Sequence, residues 1–428
     1  MALAFMSLAY APLPRLGGLL HGEVVRPIGA NVVKPSGVST RARPPSPPDN
    51  GSRFDGRRFR GTFGKQLDEE FCQAIGQAYV VVMAAKGLIL GHDGTDEARK
   101  ICLWLAQGVT AQSADVFYFG AVSLDEMRLA MTRRPLTGAI YVGADAPGSD
   151  QHTIWYLGSD RPALHPEQDL ALIARLADRN AFLPGVRFGE TKDLVGSLTE
   201  AFLTSLLSTV SWNHECKATL VMSSDVDPIT RLFRTLDQNG VLERMGIILH
   251  WAAPSAVDPL SPLRMAGPVN RVREALQTTQ ADFGVVFSNA YETPQFFDEK
   301  GEMVSPDVMM ALIARNTAAM FPENILLFGT DSPAFLAKTS QIDPRQLVTM
   351  TSQDRAFRTQ MLVEHATFGY VPPNRYFYAQ LKGIESLLAP VLGAAQLVRN
   401  KLQLSALVAD LMEDLTGVSL ANPGGDGD

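Results

Sequence analysis

The chain has 428 residues, 46% of them hydrophobic and 19% charged, with 38 Lys and Arg against 45 Asp and Glu. At roughly 100–200 residues per domain, this length supports about two to four domains with ample core and excludes global disorder. The net charge of −7 argues against nucleic acid as the main partner, because phosphate binding needs a basic surplus or a large basic patch.

No run of about 18 apolar residues occurs, so no membrane span is expected. Cys72, Cys102 and Cys216 are odd in number and widely spaced. That usage fits a reducing, cytoplasmic setting rather than a disulfide framework or a thiolate metal site.

Met1 to Leu20 is apolar, but it lacks a basic leader and is broken by Pro12, Pro14 and the pair Gly17 and Gly18, which weighs against a secretory signal. Pro35 to Asn50 is rich in Pro and Ser and favours an extended, polyproline-like linker, so residues 1–50 are expected to be a solvated tail. Tyr79 to Ala84 and Leu88 to Leu90 are short apolar runs, Asp96 to Gln107 has helical spacing, and Val116 to Gly120 and Gly138 to Val142 read as buried strands. A second cycle follows, with a helix over Leu194 to Val210, a strand at Ala218 to Met222, a helix near Pro228 to Asn239, and strands at Gly246 to His250 and Phe283 to Phe287. The third cycle has a helix over Pro306 to Met320, a strand at Ile325 to Phe328 and a helix at Arg355 to His365. Alternating strands and helices in three blocks predict three α/β domains over 51–190, 191–300 and 301–415, with a tail at 416–428.

Ile384 to Leu392 and Leu402 to Leu415 read as helical. Leu387, Leu388, Val391, Leu392, Leu402, Leu404, Leu407, Val408, Leu411 and Leu415 recur at three-to-four spacing, with Pro390 expected to kink the first helix. This stripe is the expected surface for a homodimer or a protein partner.

Motifs with possible chemistry are few. There is no P-loop, dinucleotide glycine pattern, nucleophile elbow or His/Cys cluster at metal spacing. Five segments stand out: Phe54 to Gly64 with Arg60 and Gly61; Gly91 to Thr95 around Asp93; Gly138 to Pro147 with Asp145; Ala281 to Phe287 followed by Asp298 to Gly301; and Phe368 to Tyr378. In order and spacing, over about residues 51 to 415, they resemble the alpha-D-phosphohexomutases, the phosphomannomutases and phosphoglucomutases.

The resemblance implies three consecutive phosphohexomutase-like α/β/α domains. It also implies that the family's fourth domain, with its phosphate-clamping Arg-x-Ser-Gly-Thr loop, is missing after residue 415. Arg60 and Gly61 match the family's opening motif, and Asp93 survives from a Gly-Arg-Asp-x-Arg pattern. Asp145 falls on the serine that the family phosphorylates, and Ile154 replaces a lysine downstream. Ser288, Ala290 and Glu292 occupy three aspartate positions that hold magnesium in the family. Losing two of those carboxylates leaves too little negative charge for that ion, so no metal and no cofactor are expected. In the family's sugar loop, Val371 stands for a glutamate, Pro373 for a serine, Asn374 for a glycine and Arg375 for a histidine. Apolar Val371 cannot accept hydrogen bonds from sugar hydroxyls.

Plainer roles stand beside these. Asp93 reads as a turn residue, and Asp145 carries less charge than a phosphoserine. His92, His152 and Arg375 are basic residues that would either meet an anion near the cleft or be solvated. Phosphoryl transfer depends on positioning plus metal and cationic stabilisation of charge, and most of those groups are replaced. The sequence therefore predicts a catalytically inactive phosphohexomutase homologue acting as a structural or regulatory protein-binding subunit. The alternatives are a sensor with weak sugar-phosphate binding and a divergent mutase moving phosphate between C1 and C6 of a hexose phosphate.

Overall fold

The computed structural model describes residues 54, 58–133, 138–145, 148–157, 166–207, 217–224, 227–252, 267–287, 294–332, 341–350, 354–372, 375–399 and 402–416. The first sheet is built from β1 (Phe59–Thr62), β2 (Gly87–His92), β3 (Asp115–Ala121), β4 (Ala139–Ala144), β5 (Gln151–Leu157) and β6 (Thr191–Asp193), in the order β1-β5-β4-β2-β3-β6. β2 and β4 are buried at every residue, as continuous apolar runs covered on both faces require.

Helices α1 (Glu69–Met83) and α2 (Asp96–Ala111) cover one face of this sheet. Asp68 caps α1 by accepting the Phe71 N–H at 2.8 Å, with Glu69 and Glu70 in the first turn, where negative charge meets the positive end of the helix dipole. The two helices cross at very short range. A Cβ on Gly108 would lie 2.0 Å from the Gln73 carbonyl oxygen, and one on Gly76 would lie 2.4 Å from the Leu105 carbonyl oxygen. The apolar run Tyr79 to Ala84 is the end of α1 and its cap, with Tyr79 fully buried.

α3 (Leu124–Arg133) carries a buried polar junction. Ser123 and Glu126 form a capping box: Glu126 Oε2 accepts the Ser123 N–H at 2.8 Å, and Ser123 Oγ accepts the Glu126 N–H at 3.2 Å, which satisfies two donors left over at the helix start. Glu126 also accepts from Thr199 Oγ1 at 2.8 Å. The neighbouring Asp125 reaches into the third block and accepts from the N–H groups of Leu387 and Leu388 and from Ser386 Oγ.

After α4 (Ala171–Arg179) and α5 (Thr199–Leu207), the second sheet contains β7 (Ala218–Ser224), β8 (Ile247–Trp251), β9 (Phe283–Phe287), β10 (Gln295–Asp298) and β11 (Met303–Val304), in the order β11-β10-β9-β7-β8. α6 (Asp227–Gln238), α7 (Val241–Arg244) and α8 (Pro268–Thr279) belong to it. The expected turn at Asp298 to Gly301 is present: Asp298 Oδ1 accepts the N–H groups of Lys300 and Glu302, both at 2.9 Å, while Gly301 takes φ +83°.

α9 (Pro306–Met320) leads to the third sheet, which contains β12 (Leu326–Gly329), β13 (Leu347–Met350), β14 (Phe368–Val371), β15 (Arg375–Tyr378) and β16 (Ile384–Glu385), in the order β13-β12-β14-β15-β16, with α10 (Asp354–Val363) against it. The largest hydrophobic cluster takes residues from all three blocks, among them Tyr141, Phe202, Phe283, Tyr376 and Leu411. These are the three sheets and accompanying helices expected of a phosphohexomutase-like α/β fold.

Two expectations about the last segment are corrected. Ile384 and Glu385 are a strand, and the helix begins only at α11 (Ala389–Val398), where Pro390 sits in the first turn instead of kinking the middle; a proline there gives up no intrahelical donor. Apart from Leu402, which is 46% exposed, the leucine stripe is covered. Leu387, Leu388, Val391, Leu392, Leu404 and Leu411 are at most 2% exposed, and Leu407, Val408 and Leu415 pack on the same core. α12 (Leu404–Thr416) is anchored at its start by Glu299 of the second sheet's turn, which accepts from the Ser405 N–H and Oγ. Asp410 holds Arg315 of α9 at 2.7 Å. The chain's own α9 provides the packing that a partner was expected to give.

Candidate functional site

Parallel strands gather loop residues at their carboxyl ends, and the β2 and β4 ends place Asp93 and Asp145 side by side. Asp93 works as a clamp. Its Oδ1 accepts the Thr95 N–H at 3.0 Å and Thr95 Oγ1 at 2.8 Å, and its Oδ2 accepts the Ala144 N–H at 2.7 Å. One carboxylate thus closes the turn into α2 and fixes the residue before Asp145.

Asp145 leaves β4 with its N–H on the Gln151 carbonyl at 3.0 Å. Its Oδ1 accepts Thr153 Oγ1 at 2.6 Å, and its Oδ2 pairs with Arg60 Nε. β1 and β5 set Arg60 directly opposite Thr153, so neighbouring strands deliver both partners to one carboxylate. The Arg60 side chain remains 54% exposed and that of Asp145 17%.

His92 is not a solvated cation. It is 3% exposed, and its Nδ1 accepts the Gly94 N–H at 3.1 Å. That bond puts the ring proton on Nε2, which donates to Tyr118 Oη at 2.9 Å. Burial pushes the His92 imidazole down to about 4, against the pull of Asp93 and with help from Arg99 and Arg231; burial likewise pushes the Tyr118 phenol up to about 12. His152 is also buried, at 1%. Its Nδ1 lies 3.2 Å from the Asp150 carbonyl, and its Nε2 has no partner. Alternation along β5 turns it to the face opposite Thr153, so neither histidine stands ready for an anion.

Val371 is 3% exposed at the end of β14, opposite Arg375 in the ladder. Arg375 is bound to Glu385, with Nε and Nη2 at 3.0 and 2.9 Å from Oε2. Ser288, Ala290, Glu292, Pro373 and Asn374 lie outside the described residues. Among the described residues, no group of three or more His, Cys, Asp or Glu is placed to hold a metal ion.

Residues 52–182 match the family model for phosphoglucomutase/phosphomannomutase, alpha/beta/alpha domain I. A phosphomannomutase of Salmonella montevideo is 24% identical over 377 residues, covering 84% of this chain and 80% of that relative. This chain is similar to phosphomannomutases along most of its length and matches the phosphoglucomutase/phosphomannomutase family in its first domain. A crystal structure of a phosphoglucomutase/phosphomannomutase family protein from Burkholderia thailandensis superposes with a TM-score of 0.66 at 16% identity, covering 84% of this chain and 80% of the other. The open form of Paramecium parafusin, a phosphoglucomutase, gives 0.57 at 14% identity, covering 86% and 75%. The fold of these phosphohexomutase structures is therefore the fold of this chain.

The site brings together Arg60, Asp93 and Asp145 at the ends of neighbouring strands. The junction of Asp125, Glu126, Arg128 and Glu385 was not singled out from the sequence. Its one legible signal is the capping-box spacing from Ser123 to Glu126.

Proposed function

We propose that this chain is a non-catalytic phosphohexomutase homologue that works by binding a protein partner. The observation that carries the catalytic half of this reading is the Asp145 carboxylate, held by Arg60 and Thr153, at the residue that the motif resemblance aligns with the family's phosphorylated serine. A nucleophilic hydroxyl accepts and returns a phosphoryl group. A carboxylate whose two oxygens already accept from a guanidinium and a hydroxyl is a poorer nucleophile, because both donors draw off its negative charge. The replacement of two of the three aspartates at Ser288 and Ala290 removes hard oxygen ligands that magnesium needs, and buried Val371 supplies no acceptor to a sugar.

The binding half is supported by a strap that runs beside the α2–β3 turn. Gly185 and Gly189 donate their N–H groups to the Ala111 and Thr110 carbonyls at 3.0 and 2.8 Å. The strap holds Leu183, Val186 and Phe188 outward at 77% exposure or more, which is unusual for three large apolar side chains so close together.

The test supplies glucose or mannose 1-phosphate with a bisphosphate primer and magnesium. No turnover above buffer is expected from the wild type or from Asp145→Ser. Turnover that depends on Asp145 would overturn the reading, because an acyl phosphate on that residue would then replace the phosphoserine. For the binding half, Phe188→Glu should reduce co-purification of a stoichiometric partner from native extracts.

A further inference from the structure

Two arginines from different blocks converge on one oxygen. Arg128 of α3 places Nη2 3.0 Å from Glu385 Oε2. Arg375 of β15 places Nε at 3.0 Å and Nη2 at 2.9 Å from the same atom. The ladder sets Phe377, not Arg375, opposite Glu385, so Arg375 reaches along the sheet to make this contact, with its guanidinium 5.4 Å from the Phe377 ring centre. The side chains are 17% exposed for Arg128, 26% for Arg375 and 10% for Glu385.

Planar guanidinium groups aimed at a single oxygen are how proteins hold phosphate and carboxylate ligands. In this chain the oxygen belongs to the chain itself. Asp125 does not take Glu385's place: Arg128 Nη1 lies 3.4 Å from its Oδ1, but that carboxylate is already committed to Ser386, Leu387 and Leu388. Without Glu385, the two guanidinium groups would converge on the place its carboxylate leaves, which is mostly enclosed.

We propose that Arg128 and Arg375 form an oxyanion-binding site that Glu385 fills from within. The arrangement excludes a free phosphate-type ligand and pins the first block to the third. Displacing Glu385 would open the site and release the pin in one step. The proposal concerns a locus apart from Asp145 and stands or falls independently of catalysis.

The experiment uses the full chain with Glu385→Ala and Glu385→Gln, titrated with inorganic phosphate by calorimetry at low ionic strength. Phosphate should bind Glu385→Ala with one-to-one stoichiometry and at least tenfold more tightly than it binds the wild type. That gain should vanish when Arg128→Ala or Arg375→Ala is added, and Glu385→Gln should fall between. A folded Glu385→Ala that binds phosphate no better than the wild type overturns the proposal, as does a gain that survives loss of both arginines. If Glu385→Ala is too unstable for titration, its thermal midpoint is compared in phosphate and in chloride of equal ionic strength. A rise specific to phosphate supports the site, and equal midpoints overturn it.

Discussion

Nε2 of His92 donates to the hydroxyl of Tyr118 across 2.9 Å because the Gly94 N–H already occupies Nδ1. A neutral imidazole is therefore part of the folded site, where the sequence offered a candidate cation.

The His92 pKa falls on folding, from about 6.5 in the unfolded chain to about 4. The unfolded chain takes up the proton first, so this contribution to stability is complete above about pH 6.5 and is lost as pH falls toward 4. The loss is on the order of 3 kcal/mol. Urea unfolding between these pH values should show a slope that His92→Gln removes, and nitrogen NMR should report the Nε2–H tautomer. An unchanged slope in the variant would refute the assignment.

Asp125 titrates in the opposite sense. Burial raises its pKa, opposed by Arg128 and by the donors from Ser386, Leu387 and Leu388. The stabilising contribution from protonation is fully present below the unfolded value of about 3.9 and is lost as pH rises through the elevated folded value. The stability difference between wild type and Asp125→Asn should therefore shrink as pH rises from about 4. Asp125→Ala should cost about 3 kcal/mol at neutral pH, since it strands two buried donors, the Leu387 N–H and the Ser386 hydroxyl. A cost below about 1 kcal/mol would mean that the contacts are not formed in solution.

The two faces of α12 should respond differently to charge. Leu411→Glu, at a position with no exposure, should cost more than about 4 kcal/mol or prevent folding. Met412→Glu, one residue on and 41% exposed, should change stability by no more than about 0.5 kcal/mol. Circular dichroism melts of the two variants decide this. Equal tolerance would return the stripe to an intermolecular role.

Arg60→Ala removes an ion pair whose arginine is half in water, so its stability cost should be at most about 1 kcal/mol. A larger loss in denaturant titrations would show that Arg60 holds the Asp145 loop in the fold, beyond neutralising its charge.

The most fully buried strands, among them Ala218 to Met222 and Phe283 to Phe287, were legible as continuous apolar runs, because both sheet faces are covered. Tyr79 to Ala84 was harder: a helix pressed between a sheet and a second helix is apolar nearly all round and loses its 3.6-residue signature. The stripe at Leu404 and Leu411 was legible as a helix but not as a buried one, since periodicity gives the apolar face without saying what covers it. At the site, motif order carried Asp93 and Asp145, whose partners come from adjacent strands. Glu385 and Arg128 carry no motif, and the motif that holds Arg375 says nothing of its partners, because their meeting depends on how separate blocks pack.

The separation of 262 residues between Asp125 and Leu387 also sets a schedule. At synthesis rates of about 5–20 residues per second, Asp125 leaves the ribosome roughly 13 to 50 s before its hydrogen-bond donors exist. For that interval its carboxylate is hydrated, and the first block has to persist with α3 undocked at that end. The junction is thus among the last contacts to close during synthesis, and a slow codon stretch before residue 387 would lengthen the time for which the nascent chain exposes it.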